Sequence, residues 1–212
     1  MATVSQLCEA LAQAANMPLA DVQKYARALI NSGDLPKAIG RSVPQTDYYH
    51  KAKLILALAA SERPADCVRA MRDRYEAVAR FNETHLTAGE VLAEELRELA
   101  NKNFAAFQKW AYSDIEVSRG GMPSVKFRIN EVMKPYGSRS EQSIFLGGSW
   151  LHTSIQDLER LAKDEERSGF AVSAFVPGEV LMVAAFGSKK ISDDAYFEVL
   201  KARKEDEKAD SE

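Results

Sequence analysis

Hydrophobic positions in the first third of the chain recur at helical spacing. Val4, Leu7, Leu11 and Ala14 or Ala15 lie three or four residues apart and predict a first helix. Thr3 with Gln6 three residues on reads as a capping box, each side chain reaching the other's backbone amide. The run stops at Asn16-Met17, and Pro18 suits the first position of a new helix, where its missing N–H costs nothing. Leu19, Val22, Ala26, Leu29 and Ile30 form that helix's apolar stripe, and Gly33 is placed for a left-handed cap after it. Two short helices joined by a turn of about three residues have the spacing of a helix-turn-helix. Residues 34–44 read as an irregular loop, punctuated by Pro36, Gly40 and Pro44 and carrying Lys37 and Arg41. A third helix is predicted over 47–60, and its Leu/Ala-rich second half is apolar nearly all round, which implies burial.

Pro64 opens a predicted fourth helix through Val68, Met71, Tyr75 and Val78, a seam read as domain core or, second, as a dimer surface. A fifth helix starts at Thr87, where Glu90 completes another capping box. It is expected to run unbroken to Tyr112 through Leu92, Leu96, Leu99, Phe107 and Trp110. At about 25 residues it would be long for a globular helix, suited to bridging two domains or joining a dimer interface.

The period changes after Ser113. Ile115 and Val117 alternate, Gly120-Gly121 turns the chain, and Val125, Phe127 and Ile129 alternate again, which predicts a β-hairpin. A strand is expected over 143–147, a helix through Ile155, Leu158 and Leu161, and a strand through Phe170, Val172 and Ala174. Pro177-Gly178 signals a turn, and the continuous apolar run 180–186 suits a central strand. A last helix over 192–203 leads into a charged tail, 204–212, with too little apolar content to fold. The expected fold class is α+β. A helix-turn-helix domain (1–60) precedes a helical connector or dimerisation region (61–113), an α+β domain (114–203) and a disordered tail (204–212).

Charge locates the candidate chemistry. The 212 residues carry 28 Lys plus Arg against 31 Asp plus Glu, a net charge of −3, which excludes bulk electrostatic binding of polyanions. Residues 1–60 run the other way, with six basic side chains (Lys24, Arg27, Lys37, Arg41, Lys51, Lys53) against four acidic ones (Glu9, Asp21, Asp34, Asp47). Gln23, Lys24, Arg27 and Asn31 lie off the apolar stripe of the second helix. These are side-chain types that read base edges or touch phosphate in the major groove. Lys37, Arg41, Lys51 and Lys53 are the expected phosphate contacts, the first two on a loop placed like a wing. The alternative is an ordinary helical hairpin with a solvated polar face.

The stretch from Leu29 to Lys37, then Gly40-Arg41, then His50 to Ala60 resembles the amino-terminal part of uncharacterised helix-turn-helix, winged-helix-like proteins of prophages and proteobacterial genomes, over about the first 60 residues. The resemblance implies a DNA-binding module in a phage or mobile element. The expected function is therefore a DNA-binding transcriptional regulator. Its partner would be double-stranded DNA, and its α+β domain would dimerise, sense a ligand or bind a protein. A protein–protein module that never touches DNA is the first competitor, and an enzyme housed in the α+β domain the second.

Other motifs carry less. Gly147-Gly148-Ser149 precedes a predicted helix but lacks the following Lys of a phosphate-binding loop and reads as a tight turn. Ser149 and His152 lack an orienting third group, so no catalytic set is expected. His50, His85 and His152 are isolated, and neither a metal nor a cofactor is expected. The acidic run Asp164-Glu165-Glu166 reads as a solvated helical face. Two cysteines, no apolar stretch of membrane-spanning length and no secretory leader pattern point to a cytoplasmic protein.

Overall fold

A computed structural model describes residues 2–79, 86–102, 104–111, 113–119, 123–130, 141–147 and 173–209. Eight helices and two antiparallel sheets lie among them, in keeping with a mixed α+β class. The amino-terminal part contains β1 (Ala2–Thr3), α1 (Val4–Ala14), α2 (Leu19–Asn31), β2 (Gln45–Thr46) and α3 (Tyr48–Ala60). Then come α4 (Cys67–Tyr75), β3 (Val78–Ala79), α5 (Ala88–Ala100) and α6 (Phe104–Ala111). The remainder comprises β4 (Asp114–Ser118), β5 (Ser124–Asn130), β6 (Glu141–Gly147), β7 (Ser173–Pro177), α7 (Gly178–Phe186) and α8 (Lys189–Ala209).

Local chemistry sets the helix starts. Both capping boxes form: Thr3 accepts from the Gln6 amide while Gln6 accepts from the Thr3 amide, and Thr87 with Glu90 does the same. A third box, Asp47 with His50, starts α3. Each satisfies two of the amide groups that a helix start leaves unpaired. Pro18 sits one position earlier than expected, as the cap rather than the first residue of α2.

The larger sheet has the order β3-β6-β5-β4-β7 with every pairing antiparallel. Ile115 pairs with Phe127 on one side and Val176 on the other, and Val117 with Val125 and Ala174. Strand alternation places Ile115, Val117, Val125, Phe127 and Val176 on the buried face. The smaller sheet pairs Ala2 with Thr46, whose hydroxyl donates to the Ala2 carbonyl at 2.7 Å. That pairing fastens the end of the 34–44 loop to the start of the chain.

Several expectations are corrected. The unbroken helix from Thr87 to Tyr112 is two helices. α5 ends at Ala100, Asn101 caps it, and Lys102 takes φ +57°. The Asn101-Lys102 pair breaks the run because Asn favours caps over helix interiors. α6 then folds back: the Trp110 indole N–H donates to the Glu95 carboxylate at 2.8 Å, and Lys109 pairs with the same carboxylate. In one continuous helix those positions would stand about 22 Å apart.

The expected central strand 180–186 is α7 instead. Its apolar run shows no face because the helix is packed by α1, α3, α5, α6 and α8, and period gives no answer for such a segment. Pro177 caps its start, and Gly187 closes it at φ +70° with its N–H on the Val183 carbonyl at 2.8 Å. The expected disordered tail is helical as far as Ala209, continuing α8. Val78 belongs to a strand rather than to the end of α4. The expected helix through Ile155, Leu158 and Leu161 lies outside the described residues.

The buried side chains form one continuous cluster from Leu7 to Val199, crossing the expected boundaries at 60 and 113. Phe107 of α6 stacks on Phe186 of α7 with ring centroids 6.0 Å apart, and Trp110 meets Phe127 of β5 edge-on at 6.4 Å. Among the described residues the helical hairpin is thus built into a shared core rather than standing apart from it.

Candidate nucleic-acid interface

Helix α2 divides cleanly into two faces. Val22, Tyr25, Ala26 and Leu29 are buried, and the Tyr25 hydroxyl donates to the Ser61 carbonyl at 2.9 Å, holding α2 to the end of α3. Gln23, Lys24, Arg27 and Asn31 are all exposed on the opposite side. The structure therefore brings these four together, as their spacing of three and four residues requires. Lys24 is not a free cation, since its ammonium pairs with Asp21 at 2.7 Å. The pair is solvated on both sides, so its strength is modest and a phosphate can compete for the lysine.

After Asn31 the chain closes with Ser32 and then Gly33 at φ +81°. The amides of Asp34 and Leu35 both bond the Leu29 carbonyl, at 2.8 and 3.1 Å. Leu35 is buried at the base of the loop. At the tip, Ile39 and Ser42 form a bridge around Gly40, which holds φ +60°. A side chain there would be strained, so glycine fits the turn. Lys37 and Arg41 are exposed on this loop.

Asp34 is the anchor of the region, and its side chain faces inward, 8% of the residue being exposed. Arg72 of α4 donates to it through Nε at 3.2 Å and Nη2 at 2.7 Å, the Ser32 hydroxyl at 2.7 Å and Lys53 at 3.3 Å. Burial alone would push this carboxyl up. The bonds from Ser32, Arg72 and Lys53 outweigh it and hold the group below the usual carboxylate range. Arg72 is the residue that sequence reasoning misses here. It lies on another helix, and no local pattern ties it to Asp34.

Two of the expected phosphate contacts are placed differently. Lys51 is only 2% exposed, and its ammonium donates to the Ala185 carbonyl near the end of α7 at 2.6 Å. It also stands 5.0 Å from the centre of the Tyr48 ring. It is a strut inside the core and cannot reach a phosphate. Its position on a helix buried nearly all round explains the correction. Lys53 is half-buried between Asp34 and the Tyr75 ring, 5.6 Å from the ring centre, and serves the anchor.

Burial drives Lys51 down to about 8 from 10.5, with Asp47 opposing weakly. The folded state thus holds this proton less tightly than the unfolded chain does. The group's stabilisation is complete above pH 10.5 and is lost as pH falls through about 8. Replacing Lys51 with Met should therefore remove about 1 kcal/mol from the gain in stability between pH 7 and pH 9. Urea denaturation of both proteins at the two pH values checks this. Comparing the two also cancels the opposing Cys8 thiol, which burial pushes up to about 11 in each.

Gly148, Ser149, His152, His85 and the Asp164-Glu165-Glu166 run lie outside the described residues. Among the described residues no three His, Cys, Asp or Glu side chains are grouped to hold a metal ion. No helix there is long and apolar enough to cross a membrane. Comparison with protein-family models, curated proteins and solved structures yields no match.

Proposed function

We propose that this protein binds double-stranded DNA through the outer face of α2 and the loop after it, as a transcriptional regulator of a phage or mobile element. One observation carries the reading: Arg27, Lys37 and Arg41 face solvent while Asp34 and Asp47 are engaged elsewhere, and Asp21 pairs with Lys24. Arg27, Lys37 and Arg41 are exposed. Asp34 is turned inward onto Arg72 and Lys53, and Asp47 caps α3. With Lys51 and Lys53 also withdrawn into the fold, the surface keeps Lys24, Arg27, Lys37 and Arg41 as its exposed cations. Gln23, Arg27 and Asn31 offer the paired donors and acceptors that match base edges, with Lys24 reaching phosphate beside them. Lys37 and Arg41 would grip the backbone without reading sequence. Two copies of the chain would read half-sites about one helical turn, roughly 34 Å, apart. The phage setting comes from the sequence resemblance.

Fluorescence anisotropy across a salt series, with random-sequence duplexes and duplexes from the protein's own locus, tests the proposal. Arg27→Ala should weaken the best site by about 1–3 kcal/mol with little effect on random DNA. Lys37→Ala and Arg41→Ala should weaken all duplexes alike, each lowering the salt slope by about 1. Failure to bind any duplex at about 50 mM salt, where phosphate contacts are strongest, overturns it.

A second reading has an observation of its own. Ile39 and Val43 flank the loop tip and are 80% and 65% exposed, apolar surface of the kind that meets a protein. In that reading Ile39→Ser with Val43→Ser abolishes function in the cell, while any DNA affinity and its salt slope stay as they were.

A further inference from the structure

A cleft of about 340 Å³ opens between the end of α1, the second half of α3 and the edge strand β7. That volume lies within the range of small-molecule sites. Leu11, Met17, Ile55, Leu58, Val176 and Val180 supply apolar walls from three separate stretches of the chain. Four alanines, Ala14, Ala15, Ala59 and Ala174, line the space between them. Side chains this short leave the cleft open where larger ones would close it.

Among the described residues one charged group lines the cleft. Arg119, just past the end of β4, donates through Nε to the Ala59 carbonyl at 2.9 Å. A second bond runs from its Nη1 to the exposed Glu62 carboxylate at 3.4 Å, long for an ion pair. These bonds engage two of the five N–H groups of a guanidinium and fix its plane beside the cleft. The Ala59 carbonyl belongs to the last turn of α3, so the bond also ties β4 to that helix.

We propose that this cleft binds a small amphipathic carboxylate, its hydrocarbon body among the apolar walls and its carboxylate on Arg119. A guanidinium held in place offers paired donors matched to a carboxylate, which a lysine would not. Apolar walls without charge exclude a ligand that is polar throughout. The site is independent of α2, so it stands or falls apart from DNA binding.

Calorimetric titration of the whole chain with octanoate, octan-1-ol and octylamine separates the contributions. Octanoate should bind, octanol about tenfold more weakly or worse, and octylamine weakest of all. Arg119→Gln should bring octanoate down to the level of octanol while leaving octanol unchanged. Ala174→Leu, on the partly exposed edge strand, should weaken octanoate and octanol alike by filling the cleft. Circular dichroism and a thermal melt of each variant confirm that it folds. Should Arg119→Gln melt early, Arg119→Lys replaces it, expected to keep the charge preference at reduced strength. Equal binding of all three ligands, no binding by any, or full octanoate affinity in a folded Arg119→Gln protein would overturn the proposal.

Discussion

Replacing Gly178 with Ala should destabilise the protein by about 3 kcal/mol or more. A Cβ on this residue would stand 1.7 Å from the Trp110 carbonyl oxygen and 3.0 Å from that of Ser113. Both neighbours are backbone, so no side chain can swing away to make room. The approach is close because Gly178 opens α7, and its N–H donates to the Ser113 carbonyl at 2.9 Å. That bond joins α7 to the junction between α6 and β4. Moving α7 out by even a fraction of a methyl diameter would part Phe186 from Phe107 and loosen Leu181 and Ala184 in the core. Equilibrium urea unfolding of the variant checks the magnitude. A loss below about 1 kcal/mol would mean that α7 can shift at little cost, and that the core tolerates more rearrangement than its packing implies.

Asp34→Ala should cost about 2–4 kcal/mol. The substitution leaves Lys53 half-buried without its carboxylate and Arg72 with the long bond to the Ser32 carbonyl, while the Ser32 hydroxyl keeps the Leu29 carbonyl as acceptor. Arg72 is half exposed and recovers part of its hydration, which keeps the figure below that of a fully buried pair. Asp34→Asn should cost less, since an amide oxygen still accepts hydrogen bonds without the charge. The pH dependence has a definite sign. The carboxyl lies below its ordinary value when folded, so its stabilisation is present above that value and is lost as pH falls through the lower, folded one. Urea denaturation between pH 7 and pH 3 should show a steeper acid loss in the wild type than in Asp34→Ala. Parallel pH profiles would show that solvent screens the cluster. The same variant also unties the base of the 34–44 loop, so under the proposed function its duplex affinity should fall as the loop of Lys37 and Arg41 loses its fixed position.

Helix starts and half-buried strands could be read directly from residue order. Thr3 with Gln6 and Thr87 with Glu90 cap their helices through bonds spanning three residues, so local sequence contains the whole interaction. The hairpin of β4 and β5 was legible for the same reason: Ile115, Val117, Val125 and Phe127 alternate because one side of that sheet is buried. The outer face of α2 was legible too, since the buried stripe Val22, Ala26 and Leu29 leaves Gln23, Lys24, Arg27 and Asn31 outside.

What only the tertiary structure decided depends on partners far away in the chain. Residues 180–186 are apolar throughout, and nothing within them separates a central strand from a helix enclosed on all sides. The surrounding helices make the choice. The break at Lys102 lets Trp110 return to Glu95, a contact that a continuous helix forbids. Lys51 and Lys53 look alike in sequence as cations of one helix. Yet one bonds Ala185 inside the core and the other joins Asp34 and Tyr75. A lysine's role is set by where its ammonium finds an acceptor, and for Lys51 that acceptor arrives 134 residues later. Periodicity specifies which face of an element is buried, whereas the identity of what covers that face is a property of the assembled core.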